Sequence, residues 1–218
     1  THGLLIHAVT PTAAERGARP GARLTDARAL DPALVAVPAD PEGDAALVAR
    51  LAKWAGRWSP LVEIDGDGLR LDISGVAHLF GGEKGLIRDM RKRFASLGLT
   101  AQVAIAPTAG AAWALSHFGG DELAPLHVSA LRLDADTVRT LERLGFKTIG
   151  ALIDVPRLAL ARRFRGAESV VDALDRILGR KPEPLTAAPS DVPPRAMIKL
   201  EEPANHPEAS PQALERLM

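Results

Sequence analysis

The amino-acid sequence predicts an α+β domain followed by a wholly helical domain. In the first part of the chain, hydrophobic patterns typical of strands and helices follow one another as strand, helix, hairpin, helix, strand and helix. This order is typical of an antiparallel or mixed sheet that helices cover on one face. From residue 134 to residue 179 the pattern is helical throughout, which indicates a second domain.

The elements before the hairpin follow from local patterns. An apolar run at 3–9, enriched in β-compatible residues, predicts a strand. After a loop rich in glycine and proline, Thr25 is placed to cap a short helix ending near residue 31, and residues 34–37 predict a short strand. Apolar residues at helical spacing predict a helix over 42–58, which ends before Pro60.

A hairpin is the clearest β signal in the chain. Two extended apolar segments, 61–64 and 69–73, flank Asp65-Gly66-Asp67-Gly68, and Asp-Gly pairs between strands are typical hairpin turns. Three elements are predicted after it: a helix at 83–97, a buried strand at 101–106 and a helix at 108–118.

The helical domain has short connections at Gly145, Pro156 and Gly166. The five prolines of residues 181–194 predict a stiff, extended linker. Beyond it, residues 196–200 predict a strand and residues 207–218 the beginning of a helix.

Composition limits the possible functions. Lys plus Arg and Asp plus Glu both number 27, so the whole chain gives no electrostatic steering towards nucleic acid. Without cysteine there is no disulfide and no thiolate metal site, and no apolar run reaches the roughly 20 residues of a membrane-spanning helix. We therefore expect a cytoplasmic protein without a membrane partner. Tyrosine is absent, which counts against a nucleotide-selecting enzyme.

A tight glycine-containing turn joins two predicted helices within 141–150 and resembles a helix-hairpin-helix. Such a turn can hold a DNA phosphate without recognising sequence. Residues 139–181 contain ten basic and five acidic side chains, a local charge of +5 that supports this function. The alternative is an ordinary helical hairpin whose glycine is a C-cap. The candidate DNA-binding residues are Arg143, Gly145, Lys147, Thr148 and Gly150.

Three aspartates near the hairpin, Asp65, Asp67 and Asp72, raise the possibility of a two-metal centre. Asp and Gly are also common turn residues, and that interpretation is favoured for Asp65 and Asp67. The six histidines show no pair at a metal-ligand spacing, and there is no glycine-rich phosphate loop. The sequence therefore predicts neither a metal nor a cofactor.

Two segments, Ile64 to Ser74 and Ala104 to Gly110, resemble the Y-family translesion DNA polymerases. The matching family motifs are S-I-D-E-A-Y-L-D in the palm and G-I-A-x-N-K at a strand-helix junction. Four further stretches are similar to an inactive branch of that family, the polymerase-like subunits of bacterial mutagenesis complexes: residues 21–30, 58–63, 75–83 and 110–115. The resemblance extends to about Leu185 and covers nearly the whole chain.

The resemblance implies a domain order and a ferredoxin-like palm. The expected domains are the palm at 1–10, without its first part, the fingers insertion at 11–57, the palm again at 58–130, the thumb with its helix-hairpin-helix at 131–181, the proline-rich linker at 182–195 and the beginning of the little finger at 196–218.

Departures from the family motifs imply that the chain is catalytically inactive. The Asp-Glu metal pair of the family falls on Asp67-Gly68, or on Asp65-Gly66 with a shifted hairpin, so that glycine replaces glutamate either way. The Tyr and Arg of the fingers motif Y-x-A-R-x-x-G fall on Pro11 and Ala14, although Arg16 lies nearby, and the phosphate-binding lysine falls on Ala109. The vestigial positions are Asp65, Gly66, Asp67, Gly68, Pro11, Ala14 and Ala109.

By resemblance, the expected function is that of a non-catalytic adaptor in damage-induced mutagenesis. It would bind DNA without sequence specificity and recruit an error-prone, replicative-type polymerase, with the sliding clamp and a RecA-like accessory protein as further partners. Two alternatives stay open: an active translesion polymerase, and a general DNA-binding module without polymerase ancestry. A bacterial location at the nucleoid is expected.

Overall fold

A computed structural model describes residues 3–164 and 169–186. The chain divides into two compact units, residues 1–50 and residues 51–218. Helices predominate and a two-stranded sheet is present in the described residues, which confirms the α+β class. The connection at Gly166, the end of the proline-rich segment and the elements predicted at 196–218 lie outside the described residues.

The first unit contains two short helices. Helix α1 (Pro11–Glu15) is capped by the Thr10 hydroxyl, which accepts a hydrogen bond from the Ala13 amide at 3.3 Å. Helix α2 (Leu24–Leu30) follows. The strand expected at 3–9 was a wrong prediction, because this segment forms only an isolated bridge between Leu5 and Arg23.

Two further local predictions in this unit were wrong. Thr25 does not cap α2, since the helix begins one residue earlier and the Thr25 hydroxyl bonds to the Asp26 carboxylate at 3.3 Å. Residues 34–37 form no strand, and Val35 and Val37 are 85% and 82% exposed. A short apolar run needs a neighbouring strand and a surface to cover before it becomes a strand. Helix α3 (Pro41–Ala55) confirms the helix predicted over 42–58.

The hairpin of the second unit is confirmed. Strand β1 (Val62–Asp65) pairs antiparallel with β2 (Gly68–Leu71), with Asp65 opposite Gly68. Gly66 has φ of +62°, a left-handed conformation at the first position of the two-residue turn, where glycine carries no steric cost.

The buried side chain of Ser59 links the two chain segments at the open end of the hairpin. The Ser59 hydroxyl accepts from the Leu61 amide at 3.0 Å and donates to the Asp72 carbonyl oxygen. Since an unbonded polar group costs stability when buried, this pair of bonds fixes where the hairpin begins and ends.

An apolar cluster lies between the hairpin and helix α4 (Glu83–Ser96), which confirms the helix predicted at 83–97. Trp58 is buried at its centre and donates its indole N–H to Asp89 at 2.8 Å. Trp54 and Phe94 pack on Trp58 with ring centroids 4.8 Å and 5.7 Å away. Trp58 therefore anchors this apolar cluster.

The buried strand expected at 101–106 was also a wrong prediction. These residues have no regular secondary structure, because the sheet of the described residues contains β1 and β2 alone. One carbonyl of the segment, that of Val103, accepts a hydrogen bond from the Arg91 guanidinium at 3.3 Å.

From residue 109 to residue 177 the described residues are mainly helical, which confirms the helical pattern predicted for residues 134–179. Helix α5 (Ala109–Phe118) begins at the capping Thr108 and confirms the helix predicted at 108–118. After a 3₁₀ turn at Val128–Leu131 come α6 (Ala135–Arg143), α7 (Ile149–Ile153), α8 (Arg157–Arg163) and α9 (Val170–Ile177).

These helices share one hydrophobic core, to which α5 also contributes. Its buried members include Ala111, Ala114, Val128, Leu141, Ile149, Leu152, Leu160, Val170 and Leu174. Within the part of the chain that the structure describes, no helix has the length and apolar character needed to cross a bilayer.

Candidate functional site: hairpin carboxylate and helical turn

The Asp65 carboxylate is the centre of an ion-pair network at the end of β1. Its side chain is 11% exposed. Arg132 donates two hydrogen bonds to it, one to each carboxylate oxygen, at 2.5 Å and 2.9 Å. The Nε of Arg70 in β2 lies 3.4 Å from the Oδ2 of Asp65. Two guanidinium groups therefore face this single carboxylate.

Arg132 is held in an uncommon conformation. It follows the 3₁₀ turn at Val128–Leu131 with φ of 58° and ψ of 33°, and no other non-glycine residue in the described ranges has a positive φ. Its guanidinium lies over the ring of Trp113, 4.6 Å from the centroid, in cation-π geometry. Arg132 was not among the predicted site residues, because 67 positions separate it from Asp65 and no motif includes it.

The network includes two more carboxylates. Arg70 also lies 3.3 Å from Glu63 and 3.4 Å from Glu183, and Glu183 accepts a hydrogen bond from the Gly110 amide at 2.8 Å. The hydrogen bond from Arg132 lowers the pKa of Asp65, against the opposing effect of burial, and the charge of Arg70 adds to the lowering. The same hydrogen bond raises the pKa of Arg132. Asp65 is therefore a firmly ionised carboxylate with a fixed cationic partner.

The other two aspartates near the hairpin, Asp67 and Asp72, have contacts outside the ion-pair network of Asp65. Asp67 lies in the turn, as predicted, and is 94% exposed, with the His117 ring nitrogen 4.0 Å away. Asp72 accepts from the Ser74 amide at 2.8 Å, and this contact lowers its pKa. In the ranges 3–164 and 169–186, no three Asp, Glu or His side chains form a group that could hold a metal ion.

A two-metal centre of the kind that the polymerase resemblance implies therefore does not fit these residues. Both oxygens of Asp65 accept hydrogen bonds from Arg132, and the glycines at 66 and 68 supply no carboxylate. Asp65 shares its surroundings with arginines, whereas paired cations need a cluster of acidic ligands.

The vestigial fingers positions lie on the first short helix. Pro11 is the first residue of α1, and the Ala14 carbonyl oxygen accepts a hydrogen bond from the Arg19 guanidinium. Arg16, the residue closest to the missing arginine, pairs with Asp31 at 3.3 Å. Ala109, at the position of the family lysine, is the first residue of α5.

Helices α6 and α7 meet at a turn centred on Gly145, which has φ of +90°. The Gly145 amide donates to the Glu142 carbonyl oxygen and the Phe146 amide to that of Leu141, both at 2.9 Å. These two bonds form a Schellman motif. Gly145 is thus a helix C-cap, the conformation that the sequence offered as the alternative interpretation.

Most amides of the turn are already bonded within the protein. The Ile149 amide donates to Leu126 at 2.9 Å, and the Gly150 amide donates to Ala124 at 2.8 Å. Gly150 is also needed for close packing, since a Cβ there would lie 3.0 Å from the Ala124 carbonyl oxygen. Among the described residues of the turn, the amides of Lys147 and Thr148 have no such partner within the protein.

Internal ion pairs offset some of the positive charge of residues 139–181. Arg157 pairs with Asp175, and Lys181 pairs with Asp172 at 3.0 Å. Within residues 139–181, four exposed cations have no acidic partner among the described residues: Arg143, Lys147, Arg162 and Arg163. They give the turn and α8 a basic surface.

Two curated relatives resemble the chain in sequence. Both are named Protein ImuB and come from Caulobacter vibrioides, one from strain NA1000/CB15N and the other from strain ATCC 19089/CIP 103742/CB 15. Each is 44% identical to the chain over 182 residues. The matched region covers 78% of this chain and 39% of each relative. The chain therefore spans about two fifths of the length of these relatives, and they confirm the resemblance to a polymerase-like mutagenesis subunit.

Solved structures confirm the fold. A Dbh ternary complex superposes with a TM-score of 0.69 at 15% identity, covering 84% of this chain and 59% of that one. The crystal structure of DinB from Sulfolobus solfataricus gives a TM-score of 0.65 at 17% identity, covering 80% of this chain and 56% of that one. The model of the impB/mucB/samB family matches residues 2–117, and the chain therefore belongs to that family, which excludes a general DNA-binding module without polymerase ancestry.

Proposed function

We propose that this chain is the polymerase-like part of a non-catalytic adaptor that binds DNA in damage-induced mutagenesis. The observation that carries the proposal is the Asp65 carboxylate. In a fold shared with Y-family polymerases, arginines surround it, and glycine stands where the resemblance places glutamate. Phosphoryl transfer depends on metal ions and positive charge around the phosphates. Here the arginines pair with the carboxylate that a metal ion would need, and proline or alanine stands where the resemblance places the phosphate-binding side chains.

The proposed DNA contact lies at the turn between α6 and α7. The free amides of Lys147 and Thr148, with the side chains of Lys147 and Arg143, supply donors and positive charge at an exposed turn. Gly145 and Gly150 have a supporting role, because they shape the turn and let α7 pack closely. Such contacts position a protein on the phosphate backbone and carry no sequence information.

The proposed partners follow from the resemblance to ImuB. They are the sliding clamp, a RecA-like accessory protein and an error-prone, replicative-type polymerase, which the adaptor would bring to damaged DNA at the bacterial nucleoid. Since the chain spans 39% of the relatives' length, most of these contacts are proposed for the rest of the protein.

The test is a charge reversal at Lys147 in the full-length protein. We expect Lys147→Glu to weaken binding to every DNA duplex alike, because attraction to a phosphate becomes repulsion. The slope of log affinity against log salt should fall by about one ion for each phosphate that the variant no longer neutralises. Fluorescence anisotropy titrations at several salt concentrations measure both effects.

Lys84→Glu is the matched control, since Lys84 is an exposed lysine on α4 that undergoes the same change of charge. Circular dichroism establishes that both variants are folded. If the two variants bind DNA equally at every salt concentration, the turn between α6 and α7 is only a structural element and the proposed DNA contact is wrong.

A further inference from the structure

The carboxylate site of the hairpin points to a function for two arginines, Arg70 and Arg132, which were not among the predicted site residues. We propose that Arg132, supported by Arg70, is the permanent counter-ion of Asp65, which closes this carboxylate to divalent cations and joins the hairpin to the helical core. The inference deepens the proposed non-catalytic function and rests on it.

The first argument is the geometry around Asp65. A guanidinium that donates to both oxygens of a carboxylate forms a strong and directional ion pair. Here the Nη1 of Arg132 donates to Oδ2 and the Nη2 donates to Oδ1, while Arg70 approaches Oδ2 at 3.4 Å. A divalent cation binds carboxylate oxygens at about 2.0–2.6 Å. It would have to displace Arg132 and then lie beside a second guanidinium.

The second argument is the cost of placing Arg132. A left-handed backbone is unfavourable for a residue with a side chain, and such strain persists only where the surroundings compensate for it. The ion pair with Asp65 and the stacking on Trp113 are the compensating contacts here. Lysine lacks both the planar fork and the stacking surface, so the site is specific for arginine.

The third argument is the reach of the network. Asp65 belongs to β1, Arg70 to β2 and Arg132 to the segment before α6, while Glu183 follows α9. Through Glu183 the network also bonds the Gly110 amide in the first turn of α5. Ion pairs thus connect the hairpin with the helical core, a connection that does not need a metal ion.

The decisive experiment measures Mn²⁺ binding to the full-length protein by electron paramagnetic resonance of free Mn²⁺. We expect the parent and the Asp65→Asn variant to bind the same amount of Mn²⁺, because Arg132 already occupies both carboxylate oxygens of Asp65. The double variant Arg70→Gln/Arg132→Gln should gain Mn²⁺ binding. Glu63, Asp65 and Glu183 surround Arg70 and form no metal-binding group in the parent, whereas without the guanidinium groups their carboxylates can close on a shared cation. Adding Asp65→Asn to that double variant should abolish the gain.

Two results would overturn the inference: Mn²⁺ bound by the parent but not by Asp65→Asn, or no gain of Mn²⁺ in a folded double variant. Either result leaves the proposed non-catalytic function to its own test, because primer extension and DNA affinity are measured separately on the same samples.

Thermal unfolding supplies a second measurement that does not depend on the double variant. We expect Asp65→Asn and Arg132→Gln each to lower Tm by about 2–4 °C. The combined variant should fall little further, because the second change finds its partner already removed. Arg139→Gln is the control, since Arg139 pairs with Asp136 across an exposed turn of α6 and should leave Tm unchanged. Additive decreases of Tm in Asp65→Asn and Arg132→Gln would contradict the proposed coupling.

Discussion

At the scale of single residues, Asp175 in α9 is a second carboxylate whose charge depends on arginine. It is buried, both terminal nitrogens of Arg157 donate to it, and Arg180 lies 3.9 Å away. The hydrogen bonds from Arg157 lower the pKa of Asp175, and burial opposes them. A buried carboxylate with such partners contributes to stability only while it is ionised.

This linkage predicts an acid-dependent loss of stability. Because the folded-state pKa of Asp175 lies below the value of about 3.9 for an unfolded aspartate, its contribution is complete above that value and is lost as pH falls through the folded-state pKa. We expect Asp175→Asn to lower the free energy of unfolding at pH 7 and to reduce its decline at acid pH. Urea denaturation across this pH range measures both effects.

Asp154→Asn is the matched control for that experiment, since Asp154 is an exposed aspartate at the end of α7. It also removes one carboxylate, but none that Arg157 holds. Equal pH profiles for the parent and Asp175→Asn would show that the ion pair with Arg157 does not stabilise the fold.

Sequence reasoning at this scale succeeds for residues whose environment is local. The pattern of one helix end predicts Gly145 as a possible C-cap, and the structure has this conformation. The sequence favours Asp65 as a turn residue, whereas it ends β1 and carries the ion pair with Arg132. No local pattern indicates a contact over 67 positions, so that pair required the folded structure.

At the scale of elements, four helices of the described residues, α1, α4, α6 and α9, end in the same way. The glycines that follow them, Gly17, Gly98, Gly145 and Gly179, have φ of +100°, +73°, +90° and +71°. At each end the glycine amide donates three residues back and the next amide donates five residues back. Each glycine occupies a left-handed position that a residue with a side chain adopts only at a cost.

Because the same glycine motif occurs at several helix ends, alanine variants can distinguish an effect on stability from an effect on DNA binding. We expect Gly145→Ala and Gly98→Ala each to destabilise the fold by about 1–2 kcal/mol, since alanine must adopt the left-handed conformation. Only Gly145→Ala should also weaken DNA binding, because it displaces the amides of Lys147 and Thr148. Urea denaturation and anisotropy titrations of both variants measure the two effects. Equal decreases of DNA affinity in the two variants would refute a specific role for the α6–α7 turn.

Helices were better predicted than strands, and the reason is physical. The patterns of α3, α4 and α5 lie within one segment, so the sequence gives their positions closely. The strands expected at 3–9, 34–37 and 101–106 depended on partners that no local pattern supplies. The hairpin was predicted because its two strands are adjacent and a turn motif joins them.

At the scale of the whole molecule, the proposed function keeps DNA binding and lacks catalysis, and the two properties belong to different sites. The basic turn between α6 and α7 is the proposed site of the phosphate contacts, while Arg132 pairs with the hairpin carboxylate of Asp65. Neither contact requires a metal ion. A protein built in this way should hold DNA under conditions that stop a metal-dependent polymerase.

The last prediction tests this separation with the full-length protein on a primer-template duplex. We expect the DNA complex to form in EDTA as well as in Mg²⁺, because the proposed phosphate contacts come from basic side chains and backbone amides and need no metal ion. We also expect no primer extension with Mg²⁺ or Mn²⁺, since Asp65 is held by Arg132 and glycine, not glutamate, follows it in the sequence. Anisotropy and gel-based extension assays measure the two quantities, and an active polymerase on the same template is the positive control. Metal-dependent extension that disappears in the Asp65→Asn/Asp67→Asn variant would show that the chain is an active polymerase, whereas extension that survives in that variant comes from a contaminant.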